Sequence, residues 1–202
     1  MAGIQHPEAE SYRQSGWGNE IVNFSQEANI GLSLIKSFEQ GFGKKPALLI
    51  IDVCKAYWSS GSPLDLSKNA AALEAPNVMR RLLKAAREGQ CPVVHTTIDY
   101  TDMSQAGLFW TKSKAIDVWL RSDNRGLNAF LEGLEPQDGD TVIAKLYPSS
   151  FFGTSLASAL TVMQVDTLVI CGGAPLFIIP LILASPLNVL FSMGAQYLLP
   201  AV

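Results

Sequence analysis

The chain has 202 residues, 48% of them hydrophobic and 16% charged, which is enough for one domain with a substantial core. Its net charge of −3 gives no electrostatic reason to expect a nucleic acid or an anionic membrane as partner. Three cysteines, Cys54, Cys91 and Cys171, are odd in number and widely spaced; they do not form a disulfide framework or a zinc-type pairing, and a reducing, cytoplasmic setting is the simplest expectation.

The first twenty residues are polar and lack the apolar core of a secretory signal. They open a leader of residues 1–44, in which Ile21, Val22, Phe24, Ala28, Leu32, Ile35 and Phe38 follow a rough helical spacing. A helix over residues 20–38 is expected there, covering the domain or a partner subunit. Residues 47–52, ALLIID, form a continuous apolar run ended by Asp52, the pattern of a strand buried on both faces. After a loop rich in Ser, Gly and Pro, residues 70–88 carry Leu73, Val78, Met79, Leu82, Leu83 and Ala86 at helical intervals, with Gly89 as the stop. Residues 92–97, PVVHTT, read as a second buried strand.

The connection over residues 99–123 is long, with Phe109, Trp110 and Trp119 as landmarks, and connections of this length commonly form lids or carry a short helix. Residues 141–145, TVIAK, form a short strand ending in Lys145, followed by a helix over 155–163 and a strand over 167–171. The alternation of apolar strands with helices argues for an α/β fold, a doubly wound parallel sheet with helices on both faces. Ligands in such sheets bind beyond the carboxyl ends of the strands, so Asp52, Asp99, Lys145 and the segment after Gly172 are expected on one edge.

Asp52 has two readings, an N-cap for the following helix or a hydrogen-bond partner for loop amides, or a general base tuned by burial and a neighbouring cation. Lys145 is either a solvated strand-end lysine or the partner of that aspartate. His95 reads as a satisfied strand histidine, and with His6 as the only other histidine no metal site of the paired-His kind is expected. No cofactor is called for.

Four segments in order, FGKKPALLIIDVCKAYWSSGSPL, PVVHTTIDY, AKLYPSSFFGTSLASAL and VDTLVICGG, resemble the isochorismatase-like cysteine hydrolases, and most of all their N-carbamoylsarcosine amidohydrolase-like subgroup. The resemblance covers roughly residues 38–173. It implies a six-stranded parallel sheet of order 3-2-1-4-5-6, hydrolysis of a C–N bond in a small amide or carbamoyl compound, and an Asp–Lys–Cys triad. Asp52 and Lys145 match the first two members, and Tyr57, Trp110 and Phe151 are expected to wall the substrate pocket. In that scheme the aspartate takes the thiol proton, the lysine favours thiolate, and backbone N–H groups near the cysteine form the oxyanion hole. A homo-oligomer is allowed by the same resemblance.

The third member departs. Where the family carries its nucleophilic cysteine, the spacing places Ile178. Cys171 is the strand cysteine, a small buried hydrophobe, and Cys54 is a weak substitute because the oxyanion donors lie elsewhere. The segment after Gly173, APLFIIPLILASPLNVLFSMGAQYLLPAV, has no charged residue. So sudden a break suggests a changed reading frame, a retained intron or a mispredicted exon. The expected organisation is therefore an incomplete hydrolase domain over residues 45–173 and an apolar tail over 174–202 outside the family, with strand 167–171 left as an exposed edge. The expected outcome is a chain that turns over weakly or not at all, or one that only binds small molecules. A membrane anchor is a minor alternative for the tail, since Pro175, Pro180, Pro186 and Pro200 interrupt it and no basic residue flanks it.

Overall fold

The computed structural model describes residues 44–173 and 188–191. The expected leader helix over 20–38, the Ile178 position and most of the apolar tail lie outside the described residues. The elements in chain order are β1 (Pro46–Ile51), α1 (Ala70–Glu88), β2 (Val93–Ile98), α2 (Leu108–Lys112), β3 (Thr141–Lys145), α3 (Leu156–Val162), β4 (Thr167–Gly172) and β5 (Asn188–Phe191). The five strands pair in the order β3-β2-β1-β4-β5, and every pairing is parallel.

Alternation along the strands assigns the two faces. Leu48, Ile50, Val93, Val169 and Cys171 pack against Ala75, Met79, Leu82, Leu83 and Ala86 of α1. Ala47, Leu49, Ile51, Val94, Ile143, Leu168 and Ile170 pack against Leu156 and Leu160 of α3. This is why β1 and β4 read as unbroken apolar runs: helices cover them on both sides. β3 differs, because Val142 is exposed while Ile143 and Lys145 are buried, so only its α3 face is covered.

Both crossover helices end alike. The Cys91 amide donates to the Ala86 carbonyl and the Gln90 amide to that of Arg87, with Gln90 at φ 54°. At the end of α3, Val165 donates to Leu160 and Gln164 to Thr161, with Gln164 at φ 58°. These are Schellman closures whose left-handed position is a glutamine. Gly89, the stop expected for α1, sits one residue before the left-handed position instead. Within α1, Pro76 has no amide to offer the Ala72 carbonyl, and the Trp58 indole donates to that carbonyl at 2.8 Å.

One expectation about the sheet is corrected. β4 is not left as an open apolar edge, because Asn188–Phe191 pairs with it in parallel, with Thr167 opposite Asn188 and Ile170 opposite Phe191. The tail therefore contributes a strand. NVLF is short and apolar, and an unpaired row of β4 amides and carbonyls is a strong template for such a segment. Among the described residues, no helix is long and apolar enough to cross a membrane.

Candidate active site

The parallel register brings the strand ends together. Ile51 lies opposite Thr96 on one side and Gly172 on the other, and Ile98 lies opposite Lys145. Beyond Ile51 the chain leaves β1 through Asp52, a non-glycine residue at φ 51°. Left-handed backbone of this kind costs free energy and persists where neighbouring groups fix it. Here both the amide and the carboxylate of Asp52 are held. Its N–H donates to the Thr96 hydroxyl at 3.1 Å, the same hydroxyl donates to Oδ1 at 2.6 Å, and Lys145 Nζ lies 2.7 Å from Oδ2.

Lys145 is 3% exposed, which rules out a solvated strand-end lysine. Its ammonium also donates to the carbonyls of Tyr147 at 3.2 Å and Pro148 at 2.9 Å. Three protons thus meet three oxygens, the condition under which a buried ammonium is tolerable. Asp52 is not a helix cap either; its carboxylate is spent on Thr96 and Lys145. Asp99 reaches the same edge but turns away to pair with Arg121.

Asp52 also lines a tightly closed cleft, with Cys54, Thr96, Trp119, Asn128 and Phe130 among its other walls. The segment after β1 is stitched to the loop that closes this cleft. Cys54 bridges Phe130 in antiparallel fashion, and the amides of Lys55 and Ala56 donate to Ala129 and Leu127 at 2.9 Å each. Asn128 Nδ2 donates to the Ile98 carbonyl at 2.7 Å. Of the two expectations for the long connection, a lid or a short helix, it carries the short helix α2 and is anchored: Met103, Ala106, Ile116, Val118 and Trp119 are buried in one cluster with Cys54 and Tyr57. Tyr100 amide and carbonyl are both bonded across it, to Trp119 and Arg121.

The residues expected to wall the pocket are placed elsewhere than in this cleft. Tyr57 is buried in the cluster beneath it, where its ring is so close to the turn after β4 that a Cβ on Gly173 would lie 2.8 Å away. Trp110 packs on the outside of that cluster with Lys114 Nζ 3.4 Å from its ring centre. Phe151 packs against the α3 cluster. Sequence reasoning missed Thr96, Asn128 and Phe130. The Thr96 hydroxyl reaches Asp52 only through the β1–β2 register, which no local pattern encodes, and Asn128 and Phe130 arrive on a distant loop.

Neither described thiol near the site is poised to react. Burial pushes the Cys54 thiol up and the Asp52 carboxylate adds to that, against weaker pulls from Trp119 and the Ala56 amide. Burial pushes Cys171 up to about 12. Thiolate is the reactive form, so both stay protonated at neutral pH. On the α1 face, His95 is fully buried. Its Nε2 lies 3.3 Å from Asp140 Oδ2, and Arg87 donates to that same carboxylate oxygen at 2.7 Å. Its Nδ1 has no partner, so the expected satisfied histidine is satisfied on one side only. Among the described residues, no three metal-capable side chains cluster.

Comparison with known proteins agrees with this architecture. Over 133 residues the chain is 41% identical to maleamate amidohydrolase of Pseudomonas putida, covering 65% of this chain and 61% of that protein. It is 32% identical over 143 residues to N-carbamoylsarcosine amidase of an Arthrobacter species, covering 65% of this chain and 50% of that protein. The chain thus spans about half to three fifths of the length of these relatives. The crystal structure of a cysteine hydrolase from Pseudomonas syringae pv. phaseolicola superposes with a TM-score of 0.57 at 24% identity, over 67% of this chain and 65% of that one. The family's own sequence signature, the Isochorismatase domain, matches residues 46–174, and the chain belongs to the isochorismatase family.

Proposed function

We propose that Asp52 and Lys145 are the acid–base half of an Asp–Lys–Cys site for hydrolysing C–N bonds of small amide or carbamoyl compounds. By sequence spacing, Ile178 falls at the nucleophile's position in this chain. The observation that carries the reading is the buried ion pair at the carboxyl edge of the sheet, fixed by Thr96 and by two loop carbonyls. An ion pair so enclosed is costly to assemble and has no packing purpose that apolar residues would not serve as well. With a thiol above it, Asp52 takes the proton and Lys145 holds the developing thiolate. The thiolate attacks the carbonyl carbon, ammonia or amine leaves, and water hydrolyses the thioester. The two relatives, named for maleamate and N-carbamoylsarcosine, support small amide and carbamoyl compounds as the substrate class.

Isoleucine cannot attack a carbonyl, and Cys54 and Cys171 are buried thiols, so turnover by this chain is weak or absent. The test is ammonia release from maleamate, N-carbamoylsarcosine and nicotinamide by the purified chain. The expected result is release orders of magnitude below a family hydrolase, since the missing nucleophile carries most of a covalent mechanism. Robust release that survives replacement of Cys54, Cys91 and Cys171 overturns the thiol scheme. A second reading, a non-catalytic binding protein, is favoured by an ion pair kept fully partnered at the ligand-binding edge of the sheet. Thermal stabilisation by these amides without ammonia release identifies it.

A further inference from the structure

We infer that Thr96 is the positioning residue of this site, the group that fixes where the Asp52 carboxylate points and holds its left-handed backbone. The inference rests on the reading of Asp52 and Lys145 as the working pair, but its evidence is separate from that reading. Thr96 is 1% exposed and sits opposite Ile51 in the β1–β2 register, so its hydroxyl reaches just past the end of β1. A carboxylate only accepts and an amide only donates. The 2.6 Å contact to Oδ1 and the 3.1 Å contact from the Asp52 amide therefore have one assignment: Thr96 donates its single proton to the carboxylate and accepts the amide proton.

That assignment matters because of the backbone. At φ 51° Asp52 lies where L-residues are disfavoured by about 1 kcal/mol or more, and its amide is no longer directed along the sheet ladder. The Thr96 oxygen satisfies that amide, while its proton pins one carboxylate oxygen and Lys145 takes the other. Asp52 is thus fixed from two strands on one side of β1, its neighbour β2 and, beyond that, β3. An ion pair alone leaves a carboxylate free to rotate about the Nζ contact, whereas two donors on two oxygens define its plane. Valine has nearly the same shape but neither function. Serine keeps both.

The test reads the geometry directly in the full chain by NMR. In the wild type, the Thr96 hydroxyl proton, buried and donated to a carboxylate, is expected as a resolved, slowly exchanging downfield signal; its absence overturns the inference without any variant. The Lys145 ammonium, with three acceptors, is expected as a protected Nζ signal. In Thr96→Val, ammonium exchange is expected to accelerate roughly tenfold or more, the factor that one charge-assisted hydrogen bond carries, with amide shifts away from the strand ends unchanged. Thr96→Ser is expected to stay within about twofold of wild type. Should Thr96→Val fail to fold, Thr96→Ala removes the same hydroxyl. An unchanged ammonium in the valine or alanine variant, or a serine variant that behaves like valine, overturns the inference. The parent reading fails differently: if Asp52→Asn leaves the chain's residual ammonia release unchanged, Asp52 is not the base, and the Thr96 result stands as structure alone.

Discussion

At the scale of single residues, the site is an arithmetic of donors and acceptors. Lys145 has three protons and three oxygens, and Asp52 has one donor on each carboxylate oxygen. Removing one partner of a buried pair costs about 3–5 kcal/mol, because the other charge is left without compensation, whereas removing both often costs little. Lys145→Met and Asp52→Asn, a residue that tolerates the left-handed backbone, are each expected to lower unfolding free energy by about 3 kcal/mol. The double variant is expected to lose less than the sum by about 1–3 kcal/mol. Urea unfolding of the four proteins measures this, and strict additivity refutes the coupling. The same arithmetic explains what the sequence disclosed. A carboxylate and an ammonium ending apolar strands are conspicuous, so Asp52 and Lys145 were legible. A hydroxyl within VVHTT was not, because serving Asp52 depends on a strand register that no local pattern encodes. Tyr57, Trp110 and Phe151 are ambiguous for the converse reason: their size suits a pocket wall and a core equally well, and here all three pack into or against the core clusters.

Elements were more legible than contacts, because period and punctuation are local properties. The 19-residue helix α1 occupies the expected residues 70–88, and β3 the expected 141–145. The tolerance of Pro76 was not legible, since it depends on the Trp58 indole arriving from another segment. Nor was β5, whose pairing is non-local and whose sequence carries little strand signal beyond four residues. The helix ends hold a testable feature. Gln90 and Gln164 both occupy left-handed positions, at φ 54° and 58°, where a Cβ is unfavourable by roughly 1 kcal/mol and glycine is not penalised. Gln90→Gly and Gln164→Gly are each expected to stabilise the chain by up to about 1 kcal/mol, less the extra entropy glycine gives the unfolded state. The gain at position 164 is expected to be smaller, because Gln164 also accepts from Lys45. Thermal denaturation of both variants decides it, and a loss of stability at both positions refutes the strain argument.

For the molecule as a whole, the pH dependence of stability follows from ionisable groups held in two places, around His95 and Asp140 on the α1 face and at the Asp99–Arg121 pair beyond β2. On the α1 face, His95 is enclosed by β2, by Phe130, and by Asp140 and Arg87. Burial lowers its affinity for a proton; Asp140 offsets this in part, and Arg87 reinforces it. Its folded pKa therefore lies below the unfolded value of about 6.5. As pH falls below about 6.5, the unfolded chain takes up a proton that the folded chain refuses, and stability drops by at most about 1.4 kcal/mol per pH unit for this one site. The loss levels off once the pH passes the folded value. Carboxylates act in a lower window. Asp140 works against its own burial and is held low by the Gln137 amide and Arg87, and Asp99 is held low by Arg121. Their contributions are complete above about 3.9 and fade as pH falls through their folded values. Acid unfolding is thus expected in two stages, and only the first belongs to His95. Urea midpoints of the wild type taken from about pH 7.5 down to about pH 2 are expected to fall across the histidine window and then again, below about pH 4, across the carboxylate window. His95→Gln is expected to flatten the first fall and leave the second. If the histidine variant retains the full decline between about pH 7 and about pH 5, the burial of His95 does not govern it.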